Sequence, residues 1–219
     1  MKHTEHKVPG PGSQAKAEGD SASAGRRQRQ APPIIGFTRK EDSQDIAAIP
    51  EVLPLLPLRN AVIFPGVVTP LNIGRASSRR LLEESLPQNK IIGIVTQRNP
   101  DREEAGPEDI YSVGVAALVL KLLRQSEDTV LIAIQALRRI AIGKMVSTEP
   151  YLRAEVQVLP TPEPPAGDKL WEAEVRNLRE TARQLLEVAP EVPEDAKLVL
   201  ESIEEPGLLA DFLASTLDA

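Results

Sequence analysis

The stretch Leu55-Leu56-Pro57-Leu58-Arg59-Asn60-Ala61-Val62-Ile63-Phe64-Pro65-Gly66-Val67-Val68-Thr69-Pro70-Leu71 alternates short apolar runs with proline. Such runs, rich in branched residues and bounded by Pro or Gly, read as strands. Leu53–Leu58, Ala61–Phe64 and Val67–Ile73 are the extended pieces. Proline cannot donate to a ladder, so Pro54, Pro57 and Pro65 place the first two at sheet edges or strand ends. Working outward, Ala76–Leu86 changes period: Leu81, Leu82, Ser85 and Leu86 share one face, Ser77 or Ser78 is available as a cap, and Pro87 stops the helix. Lys90–Gln97 reads as a buried strand and Arg98–Ile110 as a charged loop. Ser112–Leu123 and Thr129–Ile142 flank the polar turn Gln125-Ser126-Glu127-Asp128, which predicts an antiparallel hairpin. Tyr151–Leu159 alternates, with Leu152, Ala154, Val156 and Val158 inward. About six strands and one helix over residues 51–160 predict a small closed or nearly closed barrel, since closure removes exposed edges.

On either side the composition changes. Residues 1–50 are rich in Gly, Pro, Ser, Gln and charge, too poor in apolar surface to offset the entropy of ordering, and are expected to be a disordered tail. Pro160-Thr161-Pro162-Glu163-Pro164-Pro165 is a stiff spacer. Residues 167–219 read as a helical subdomain. Trp171, Val175, Leu178, Ala182 and Leu185 form one amphipathic stripe. A second helix starts at Pro193-Glu194, Pro206-Gly207 breaks it, and a third runs Leu208–Leu217. The expectation is an α+β chain: a barrel with one inserted helix, then a short helical bundle that reads as cut off at Ala219.

Composition removes most catalytic chemistry. The 219 residues include no Cys, and the two histidines, His3 and His6, both lie in the polar tail. Thiolate sites, disulfides and His-dependent triads or metal centres are therefore excluded from the folded part. No phosphate-cradling loop, GxSxG elbow or HExxH helix occurs. The adjacent pairs Glu83/Glu84, Glu103/Glu104 and Glu204/Glu205 read as solvated surface. No residue is assigned as catalytic, metal-binding or cofactor-binding. Net charge runs from +2 over residues 1–45, through +1 over 46–162, to −9 over 163–219. That acidic end and an aromatic content of 3% argue against nucleic acid as a partner. The apolar runs are far shorter than the roughly 20 residues that span a bilayer, and no secretory signal is visible, so no membrane is expected and the chain reads as cytoplasmic.

The opening stretch resembles the start of the N-terminal domain of Lon, the ATP-dependent protease, whose pattern is P-L-R-[DN]-x-V-[VI]-[FY]-P-G-x-x-x-P-L. Further landmarks follow in the family's order: Gly74-Arg75 before the helix, Gln97 at a strand end, Tyr111-Ser112-Val113-Gly114-Val115-Ala116, Leu137-Arg138-Arg139-Ile140, Tyr151-Leu152-Arg153-Ala154-Glu155-Val156, and Pro206-Gly207-Leu208-Leu209-Ala210-Asp211-Phe212-Leu213-Ala214-Ser215. The sequence departs from the family at Ala136 and at Glu127-Asp128, where relatives carry glycine. The resemblance implies a PUA-like barrel followed by the first helices of a helical subdomain. It further implies a non-catalytic module that recognises unfolded or tagged polypeptides and supports assembly of a homo-oligomer, a hexamer in the family. The family's AAA+ motor and Ser-Lys protease segments come later, so the chain is expected to be an N-terminal piece. A stand-alone scaffold protein is the alternative, and an RNA-binding barrel a more distant one. A module for unfolded chains needs exposed apolar contact without strict readout. Leu55, Leu58, Arg59, Phe64, Val67, Leu71 and Arg139 are the candidate peptide-contact or assembly residues, while Pro57, Pro65, Gly66, Pro70 and Gly114 shape the chain.

Overall fold

The computed structural model describes residues 36–37, 48–126, 128–161, 167–188 and 200–216. The strands are β1 (Gly36–Phe37), β2 (Val52–Leu58), β3 (Val67–Ile73), β4 (Ile91–Gln97), β5 (Ile110–Arg124), β6 (Val130–Ser147) and β7 (Arg153–Val158). Helix α1 (Ala76–Ser85) lies between β3 and β4, and α2 (Lys169–Val188) and α3 (Pro206–Thr216) follow β7. Apart from β1 and residues 48–50, the expected tail lies outside the described residues, as does most of the helix expected from Pro193; residues 200–202 are helical.

The seven strands form one mixed sheet in the order β1-β3-β6-β5-β4-β2-β7, and β7 also pairs with β6. The pairings from β6 through β5, β4, β2 and β7 thus return to β6. Only a long strand can serve three neighbours, and β6 has 18 residues: Val130–Gln135 face β3, and Ile140–Ser147 face β7. The expected hairpin is present. Gln125 N–H donates to Thr129 O at 3.0 Å across the turn.

The prolines of β2 do not put it at an edge, because the strand changes neighbours along its length. Val52–Pro54 pair antiparallel with β7, and Leu55–Leu58 pair parallel with β4. Leu55 N–H donates to Leu152 O at 2.8 Å, so odd-numbered residues point their nitrogens toward β7. Pro57 faces that side beyond Arg153, where β7 has not begun. Pro54 faces β4 just before their register starts at Leu55↔Gly93. Each proline occupies the one position where no ladder bond is required.

Both faces of the sheet are covered, which is why β4 reads as a continuous apolar run instead of an alternation. Leu56, Ile92 and Ile94 pack with Leu81 and Leu82 of α1, Ile132 and Ile134. Leu53, Leu55, Ile91 and Val95 pack with Ile110, Leu137, Ile140, Leu152 and Ala154. Neither expected serine caps α1. Its N-cap is Arg75, with no side-chain cap bond; Ser78 is buried, and Ser77 Oγ donates to Glu104 Oε2 at 2.7 Å. At β7, Leu152 just before the strand and Ala154 within it are buried as the alternation predicts, but Val158 is exposed.

Asp168 Oδ1 accepts the N–H groups of Leu170 (3.0 Å) and Trp171 (3.3 Å) at the start of α2. Of the predicted stripe, Ala182 is buried against Leu200, Ile203, Leu209 and Phe212, whereas Trp171 and Leu178 stay exposed. Pro206 is the first residue of α3, suited to a position whose N–H has no helical partner. The helix is held to the sheet by a two-pronged contact: Arg139 Nη1 donates to Asp211 Oδ2 at 3.1 Å, and Nη2 donates to Oδ1. Burial pushes the Asp211 carboxyl above its ordinary range, against the pull of the guanidinium.

Two expected outcomes follow from this packing. A Cβ at Gly114 would lie 2.4 Å from Ile94 O, a backbone atom that cannot yield. Gly114→Ala should therefore lower stability in urea unfolding by about 1–3 kcal/mol; an unchanged midpoint contradicts the close approach. Arg139→Met leaves a buried carboxylate unpaired. Because the Arg139 side chain is 40% exposed, the loss should be about 2 kcal/mol, below the cost of breaking a fully buried pair. The double variant Arg139→Met/Asp211→Leu should be more stable than the single one.

Candidate binding cleft

The segment between β2 and β3 cannot follow either strand, and it forms one wall of a cleft. Asn60 takes a positive φ of 54°, which asparagine tolerates, and Gly66 takes φ 85°, which favours glycine. Thr96 Oγ1 donates to Ala61 O at 2.8 Å, and Gly66 N–H donates to Ala136 O at 2.9 Å. Fixed at both ends, the loop presents Val62, Ile63 and Phe64 to a cleft of about 670 Å³. The opposite walls are the end of β4, the start of β5, Arg139 and the last turn of α3.

Three large apolar side chains on this cleft stand open: Val62 is 57% exposed, Tyr111 47% and Val113 49%. Arg98 lies over the Tyr111 ring, 4.6 Å from its centre, a cation–π contact that holds the ring upright. Several polar groups along the wall are used within the protein. Thr96 bonds Ala61, Ser215 Oγ donates to Phe212 O at 2.6 Å, and Arg139 holds Asp211. What remains for a ligand is chiefly apolar contact, with the Asn60 and Ser112 side chains and a basic rim beside it.

The loop after β4 is built on two buried polar residues. Gln97 Nε2 donates to Asn99 O (2.6 Å) and Arg102 O (2.8 Å), while Arg75 Nη2 donates to Gln97 Oε1 at 2.8 Å. Asp109 accepts from Gly106 N–H at 2.7 Å and from Arg102 Nη1 at 2.6 Å. Among the described residues no group of three or more His, Cys, Asp or Glu could hold a metal ion, and no helix is long and apolar enough to cross a membrane.

The candidate residues separate cleanly by burial. Leu55, Val67 and Leu71 belong to the core, so an external peptide cannot reach them. Leu55 lies in a run covered on both faces, and Val67 and Leu71 on the buried face of an alternating strand. Leu58 and Phe64 are half-buried and Arg59 is exposed. Arg59 Nη2 donates to Arg102 O and Glu103 O, each at 3.0 Å, tying β2 to the charged loop. Of the seven, Phe64 and Arg139 come together on the cleft, joined there by Gly114. Pro65 and Gly66 are buried at the turn into β3, and Pro70 sits in β3 opposite Ala133. Sequence reasoning missed Val62, Tyr111 and Val113 as the exposed apolar residues of the cleft, although the first lies in the Phe-Pro-Gly stretch and the others open the Tyr-Ser-Val-Gly strand.

The Gly106 N–H, and then the Arg102 guanidinium, hold the Asp109 carboxyl below the usual carboxylate range. A lowered folded-state pKa contributes stability above the ordinary value that is lost as pH falls through the folded value. The hydrogen-exchange protection factor of Gly106, taken against the intrinsic rate at each pH, should therefore fall on acidification below about pH 4. In Asp109→Asn that acid dependence should disappear; an identical profile in both proteins contradicts the assignment.

Comparison with known proteins places the chain. Residues 52–219 match the family described as ATP-dependent protease La (LON) substrate-binding domain. Over 208 residues the chain is 39% identical to Lon protease 2 of Myxococcus xanthus, covering 94% of this chain and 24% of that protein. It is 38% identical over 206 residues to Lon protease of Anaeromyxobacter dehalogenans, covering 94% of this chain and 23% of that one. The chain thus spans about a quarter of the length of these curated relatives. Its fold is similar to that of the N-terminal domain of Mycobacterium avium complex Lon protease, with a TM-score of 0.56 and 22% identity over 75% of this chain and 82% of that one. Family match and relatives agree over nearly all the described residues: the chain belongs to the Lon substrate-binding domain family.

Proposed function

We propose that this chain is the non-catalytic recognition module of a Lon-type ATP-dependent protease of the cytoplasm, binding unfolded or tagged polypeptides through the cleft around Val62, Phe64, Tyr111 and Val113. The observation that carries the reading is the cluster of three open apolar side chains on one cleft, beside polar groups several of which are already bonded internally. Contact of this kind tolerates many sequences while rejecting folded surfaces, which bury the groups it needs. Motor and proteolytic activity belong, in this reading, to other parts of the protease, as does most of the hexameric assembly that the module supports. The returning circuit of strand pairings supports a PUA-like barrel, and the packing of α2 against α3 supports a helical subdomain beside it.

The test is direct. Reduced, carboxymethylated lactalbumin and its native form are compared as ligands by fluorescence anisotropy. The protein should prefer the denatured form, and Val113→Asp should weaken that binding at least about fivefold by setting a charge against apolar contact. Val113 is half open, so folding should survive, as circular dichroism will report. Equal affinity for native and denatured ligand, or full binding by a folded Val113→Asp, contradicts the reading.

A further inference from the structure

The hairpin of β5 and β6 outruns its neighbour. β4 pairs with β5 only as far as Ile91↔Leu118, whereas β5 continues to Arg124. From Leu120 to Arg124 the strand is bonded on one side alone, by β6. Which backbone groups face the open side follows from the turn. Gln125 N–H donates to Thr129 O, so Gln125, Leu123 and Lys121 point toward β6, and Leu122 and Arg124 point outward. A bulge at Leu120 resets the alternation. This edge carries three exposed leucines: Leu120 at 49%, Leu122 at 37% and Leu123 at 46%. Natural edges of this kind are usually blunted or covered; among the described residues nothing covers this one. Beside it, between α1 and the hairpin end, runs a groove of about 440 Å³ lined by Arg79, Glu83, Arg124 and Val130 among others.

We propose that the outer edge of β5, Leu120–Arg124, is a second subsite that takes an extended apolar segment of a polypeptide by strand addition. The inference rests on the reading of the chain as a module for unfolded polypeptides. Main-chain hydrogen bonds at Leu122 and Arg124 supply affinity without sequence readout, and the leucines supply apolar contact. Two observations select this occupant. The edge is about 17 Å long, so pairing across it buries far less than the roughly 1,200 Å² of a stable association; it suits transient capture better than a lasting dimer. Of its charged side chains, Arg124 is paired with Glu83 of α1, Nη2 donating to Oε1 at 3.0 Å, while Lys121 stands exposed, which favours a segment carrying acidic residues between its apolar ones.

The experiment uses the full chain and a fluorescein-labelled ten-residue peptide alternating Val and Glu, with a second copy N-methylated at alternate residues. The unmethylated peptide should bind, and the methylated copy should bind at least about fivefold more weakly, as expected for the loss of one net backbone hydrogen bond. Leu122→Pro removes an outward N–H that β6 does not use, so the strand should persist while the peptide loses affinity by a similar factor. Lys121→Glu, which leaves the backbone untouched, should weaken the Val–Glu peptide and favour a Val–Lys peptide, and keeps the test valid if Leu122→Pro does not fold. Equal binding of both peptide copies, or of folded Leu122→Pro and wild type, overturns the proposal. A concentration-dependent dimer that Leu122→Pro abolishes, with no peptide bound, overturns it in favour of pairing between copies. Denatured lactalbumin separates the two subsites. Its loss in Val113→Asp with the Val–Glu peptide still bound leaves the edge standing, whereas its failure to bind wild type refutes the module reading while the short peptides still decide the edge.

Discussion

The structure depends on the length of β6. A strand of 18 residues can be bonded to β5 along most of its course while serving β3 with its first half and β7 with its second. That dual service brings β7, and with it β2 and β4, back to the strand on which β3 is laid. Backbone groups that would otherwise form edges are satisfied in this way, and the two apolar faces of β2 and β4 are covered together. A shorter β6 would leave β2 with prolines and no neighbour on one side. Among the described residues, edges stay open where β5 continues past β4 and along β3 beyond the two residues paired with β1.

Closing the circuit also decides where function can reside. The branched residues of the central strands are committed to the core, each contributing roughly 1.5–3 kcal/mol by leaving water, and they are unavailable to a ligand. Contact chemistry is left to what the circuit cannot absorb: the loop from Asn60 to Phe64, the irregular start of β5 and the docked end of α3. Arg139 links these parts. It emerges from β6 at the cleft and fixes α3 through Asp211, so the wall and the helix that borders it are set by one side chain.

Much of this was legible in the residues. The buried strand Ile91–Gln97, the helix beginning at Ala76 and the β5–β6 hairpin follow from period and punctuation, and each stands within a few residues of its expected bounds. Pro54 and Pro57 misled because their rule concerns unbonded nitrogens, and the change of partner that supplies such positions is a tertiary fact. The serines before Leu81 misled because the helix already starts at Ala76: Ser78 lies inside it and is buried, and Ser77 bonds Glu104 of the distant charged loop. Val62, Tyr111 and Val113 carry no local mark distinguishing them from core residues, since exposure of an apolar side chain is decided by what fails to pack on it. Arg139 and Asp211 lay in separate motifs 72 residues apart, and only folding unites them.

The most direct test of the central claim is a hydrogen-exchange footprint of the wild-type chain with and without a saturating denatured polypeptide. Protection should appear in the loop around Val62 and in the first residues of β5 near Tyr111 and Val113, while the interior amides of β4 stay unchanged. Protection confined to α2 and α3, or none anywhere despite measured binding, would place recognition elsewhere and contradict the account.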